Sequence, residues 1–241
     1  MTALLLLACT TAPPPAAEPS DLVSSARYTW TLSDPGTTRR TDDDWTVTTD
    51  LGFEVTLGNA ELVAYSVWLD PCPRPREVGL LDLLVPSAWA GHSVMSNPTA
   101  SRSPVVVDLL QPGSVALDPI GFGPDRFCRM GALHARGDQH TGPEGHGMMG
   151  ATIHLVGRWT KGGEPVPFDI QTPIAHSSGA PFEPTGSGPH VEVEVRQSLE
   201  GLFDGIDFQA EPGPRVLRSV LANLVDHTEI VATRTLPPTR P

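Results

Sequence analysis

Between Trp45 and Leu57 the apolar residues Trp45, Val47, Leu51, Phe53, Val55 and Leu57 all fall on odd positions, while Thr46, Thr48, Asp50, Glu54 and Thr56 take even ones. Side chains of an extended chain alternate between two faces, so a period of two commits this segment to β structure with one face in a core and the other in water. The spacing predicts one long strand, or a hairpin turning near Asp50 to Gly52. The next run, ELVAYSVWLDPC, is apolar on both phases: Val63, Tyr65, Val67 and Leu69 on one, Leu62, Ala64 and Trp68 on the other. Such a strand is central in its sheet and covered on both sides.

The segments ARYTWTLS, PVVVDLL, GSVALDPIGF, RFCRMGALHAR, GATIHLVGRW, VPFDIQTPIAH and HVEVEVRQ continue the strand pattern. With 23 Gly and 26 Pro and only 18% charged residues, the chain suits turn-rich β architecture better than a helical bundle. SLEGLFDGIDF reads as a short helical turn followed by an extended piece. Helical period is convincing in one place, VLRSVLANLVDHTEI, where Leu217, Val220, Leu221, Leu224 and Val225 repeat at helical spacing. Pro214 stands near its start, where a missing amide proton costs nothing. The fold expected is all-β, an antiparallel β-sandwich with one C-terminal α-helix laid across an open end or face of the sheet. It forms a single domain over residues 26–235, followed by a proline-rich tail, 236–241, that has no means of ordering itself.

At the other end, Leu6-Leu7-Ala8-Cys9 resembles the bacterial lipobox at which a cysteine is lipidated and becomes the first residue. The apolar run before it is too short to cross a bilayer. Residues 1–9 are thus read as a lipoprotein signal segment and 10–25, rich in Pro, Ala, Thr and Ser, as a tether. This places the domain in a bacterial cell envelope, anchored to the membrane by lipid at Cys9 and facing the periplasm or lying on the outer-membrane surface. In an oxidising compartment the remaining pair, Cys72 and Cys128, suggests a disulfide. The rival reading makes them soft copper ligands.

The formal charge is -12, and Lys161 is the single lysine among 16 basic residues, so no basic patch exists to neutralise phosphates and nucleic-acid partners are not expected. A negative field attracts cations, although the same charge also serves solubility. HExxH, GxSxG, kinase and CxxC motifs are absent, and no nucleophile can be paired with a base, so no enzyme activity is expected.

One stretch concentrates chemistry. From Cys128 to Trp159 the chain carries His134, His140, His146 and His154, with Met148 and Met149 in a glycine-rich middle between strand-like arms. Imidazole with nearby thioether suits copper, because histidine serves both oxidation states and methionine favours the cuprous one. The bland alternative makes these ordinary structural histidines, with His154 a half-exposed strand residue. Arg136-Gly137-Asp138 is read as a turn. Outside the stretch, Trp89 and His92 lie in a small-residue loop bounded by Pro86 and Pro98, and His176 ends a strand.

The segments HGMMGATIHLVGRW, PFDIQTPIAH and VEVEVRQSLEGLFDGIDF, followed by VLRSVLANLVDH, resemble in order the later half of the MbnP-like and CorA-like periplasmic copper proteins, over about residues 146–227. His146-Gly147-Met148, His176 and the turn Leu202 to Asp207 occupy the matching places; the aromatic positions after Gly-Met are held here by Met149, Gly150 and Ala151. The resemblance implies a β-sandwich-like fold and a mononuclear copper site of histidines with an oxidised tryptophan, kynurenine, made by a partner di-haem enzyme. Trp89 is the candidate for that tryptophan. Strand phase and family position together favour His134 and His146 over His140 and His154. The expected ligands are therefore drawn from His92, His134, His146 and His176, with Met148 as a soft ligand, in a protein that sequesters or delivers copper without turnover. The alternative is a surface lipoprotein scaffold or adhesion domain with incidental histidines.

Overall fold

The computed structural model describes residues 23–31, 38–40, 44–72, 97, 99–101, 104–117, 127–139, 141, 147–188, 190–210 and 214–236, with backbone alone for 23–31, 38–40 and 214–215. Among the described residues the protein is a two-sheet, sandwich-like β fold with one C-terminal helix, α1 (Pro214–Asp226).

The smaller sheet runs β11 (Thr185–Gly186), β13 (Thr228–Thr235), β12 (His190–Ser198), β1 (Val23–Thr31), β6 (Gly113–Leu117). The larger is ordered β10 (His176–Pro181), β7 (Phe127–His134), β4 (Glu54–Pro71), β3 (Trp45–Thr48), β2 (Thr38–Arg40), with β5 (Val105–Asp108) and β8 (Ile153–Thr160) also on β4 and β9 (Val166–Thr172) on β8. Pairing is antiparallel except for β1 beside β12 and β11 beside β13, which are parallel.

The alternating stretch from Trp45 is a hairpin, with β3 and β4 joined by a turn that Thr49 closes: its Oγ1 accepts from the Phe53 amide at 3.2 Å. Gly52 takes a positive φ of 76° in that turn, a region open to glycine at little cost. The two-phase apolar run has a second cause besides coverage on both sides. Register shifts at Leu57/Asn59 and Ala64/Ser66 each insert an extra residue, and each flips the phase of β4. The core face therefore reads Val55 and Leu57, then Leu62 and Ala64, then Val67 and Leu69. Val63 and Tyr65 fall on the opposite face, in a small separate cluster with Met148, Ala151 and Val106.

The main core joins those residues to Val191, Val193 and Val195 of β12 and to Phe203, Phe208, Val220, Leu221 and Leu224. Aromatic rings meet within it, Phe53 lying 5.5 Å from both Trp159 and Phe208. The helix buries Val216, Leu217, Val220, Leu221 and Leu224, as its spacing requires. Two amides tie its far half down: Gln197 Nε2 donates to the Leu224 carbonyl, and Asn223 Nδ2 to those of Leu202 and Asp204. The helix ends at Asp226, and Thr228–Thr235 form an additional strand, with Ile230 and Ala232 turned into the core, where the sequence had suggested a helix running further.

Cys72 and Cys128 are joined by a disulfide with Cα atoms 4.8 Å apart. The bridge removes them from the reading as copper ligands and fastens the end of β4 to the start of β7.

Candidate metal centre

Strands β7 and β8 are two halves of one ribbon along β4. Ala64 of β4 faces His134, the last residue of β7, and Leu62, two residues away, faces Ile153, the first of β8. Strands β10 and β9 repeat this on the outer side: His176 faces His134 and Thr172 faces Ile153. The described residues 135–139, 141 and 147–152 are thus an excursion from a continuous ladder, and the chain leaves the sheet at His134.

This exit point brings two expected ligands together. His134 and His176 are directly opposite on neighbouring strands, where Cβ atoms lie about 4.5–5.5 Å apart and side chains share a face. His134 shares strand phase with the core residues Met130 and Ala132, so it points between the sheets, and it is 1% exposed. Burial pushes its imidazole down to about 4, and the His176 ring acts in the same direction. At neutral pH His134 is consequently uncharged, the form in which a ring nitrogen can ligate a metal. Two positions further along β10, on the same face as His176, Ser178 Oγ is buried and has no hydrogen-bond partner among the described residues. Ser178 thus adds a polar atom on the same face of β10 as His176.

The excursion is pinned at its base. Gly137 donates to the Ala151 carbonyl and accepts from Gly150, both at 2.9 Å, and a Cβ at 137 would meet the Met148 carbonyl oxygen at 2.6 Å, so this position requires glycine. The Asp138 amide donates to the Thr141 hydroxyl at 2.7 Å, and its Oδ2 accepts from the Tyr65 phenol at 3.2 Å. Burial first, then the Asp138 carboxylate, raises the Tyr65 phenol above its usual range, which keeps it a donor. The Arg-Gly-Asp triplet is thus a loop anchor. Tyr65→Phe is expected to cost about 1 kcal/mol, the net worth of one such bond, visible as faster amide exchange at Gly137 and Ala151 with the rest of the sheet unchanged.

Other expected residues lie elsewhere. Met148 is fully buried against Val63, Tyr65, Ala151 and Val106, on the face of the large sheet opposite to His134. It is a core residue of the excursion's base, and its thioether is not brought to the histidine pair. Its neighbour Met149 is 63% exposed. His154 is also on the far face, its Nε2 at 2.8 Å from Asp169 Oδ1 and its Nδ1 at 3.7 Å from Glu61 Oε2, a staple across β4, β8 and β9. Cys9, Trp89, His92, His140 and His146 lie outside the described residues. Among the described residues no group of three or more His, Cys, Asp or Glu side chains is placed to hold a metal ion, so the described fold supplies two imidazoles and any further donors must come from elsewhere.

Sequence reasoning had no route to Tyr65, Ser178 or the Gly137 neck; only the Gly-Asp pair hinted that the excursion has a fixed base. Comparison with family models, with curated proteins and with solved structures finds no match to this chain.

Proposed function

We propose that the protein binds a copper ion at His134 and His176 and acts in sequestration or delivery, without turnover. The carrying observation is the placement of a buried, neutral imidazole opposite a second imidazole where the chain leaves the sheet. Paired imidazoles suit copper in either oxidation state. The residues present fit such an ion in chemistry. On the sequence reading His146 and His92 complete the set, while Met148, held in its own apolar cluster, is left out.

The cellular setting belongs to the same proposal. Lipidation at Cys9 would hold the domain in the bacterial envelope, and the likeness to MbnP-like and CorA-like proteins supports a periplasmic copper role, with a di-haem partner acting on Trp89. The test is direct. Protein loaded separately with Cu(I) and Cu(II), then desalted, is expected to retain one copper per chain by elemental analysis and to melt at a higher temperature than the metal-free form, because a ligand that binds only the native state stabilises it. Loss of all copper on desalting, with no thermal shift, would leave the scaffold or adhesion reading in its place.

A further inference from the structure

We draw no further inference here: the strongest candidate, the aromatic-lined opening of about 100 Å3 between strand β9 and the start of α1, walled by Trp159, Phe168, Phe208 and Val216, is an unpartnered apolar face, and nothing among the described residues shows what covers it.

Discussion

The double variant Cys72→Ser/Cys128→Ser is expected to lose about 4 kcal/mol of stability relative to the oxidised protein, on the chain-entropy argument. The bridge closes a loop of 56 residues in sequence, and without it the unfolded chain regains that freedom. The native state keeps its register meanwhile: Leu69 still pairs with Met130 and Val67 with Ala132, and all four remain core residues. The loss should therefore appear in urea unfolding as a lower midpoint. Because the bridge sits at the opposite end of β7 from His134, copper stoichiometry at neutral pH should not change. A stability change below about 1 kcal/mol would show that the loop is already restrained in the unfolded chain.

Acid should weaken the protein through His134. Its folded-state value of about 4 lies below the ordinary histidine value of 6.5, so the unfolded chain takes up a proton that the folded chain refuses. The contribution of the neutral ring is fully present above about 6.5 and is lost as pH falls towards 4, amounting to about 3 kcal/mol across that window. His134→Gln removes the titrating group. The stability difference between wild type and variant, measured by urea unfolding at about pH 7.5 and again at about pH 4.5, should narrow or change sign on acidification. A difference independent of pH would mean that His134 takes up its proton in the folded state at the same pH as in the unfolded chain.

Much of the fold is legible in the chain because it rests on short-range periodicity. The alternation from Trp45 to Leu57 marks the hairpin and its inward face, and the repeat from Leu217 to Leu224 marks the helix and its buried stripe. The two cysteines remaining after Cys9 announce their bridge. Bulges are harder to read. The phase flips at Asn59 and beyond Ala64 make β4 look apolar on both sides for two different reasons, and no local pattern separates a bulge from coverage on the second face. The strand Thr228–Thr235 was hidden behind the helix because only Ile230 and Ala232 carry its inward face.

The candidate site was legible in part. His134 and His176 were singled out separately, 42 residues apart in sequence, and only the β7–β10 pairing places them opposite one another. Met148 shows the limit. A methionine two residues after a histidine in a glycine-rich stretch has the composition of a soft ligand, yet the side of the sheet on which it lands depends on where the excursion folds back, and it folds back over Val63 and Tyr65.

The account turns on whether His134 and His176 hold the same copper ion. Pulsed electron paramagnetic resonance on the Cu(II)-loaded protein reads imidazole nitrogens directly. At least two coupled histidines are expected in the wild type, with one coupling lost in His134→Gln and one in His176→Ala, and the copper either weakened or released in the double variant. A copper signal with identical nitrogen couplings in wild type and both variants would place the ion elsewhere and contradict the assignment.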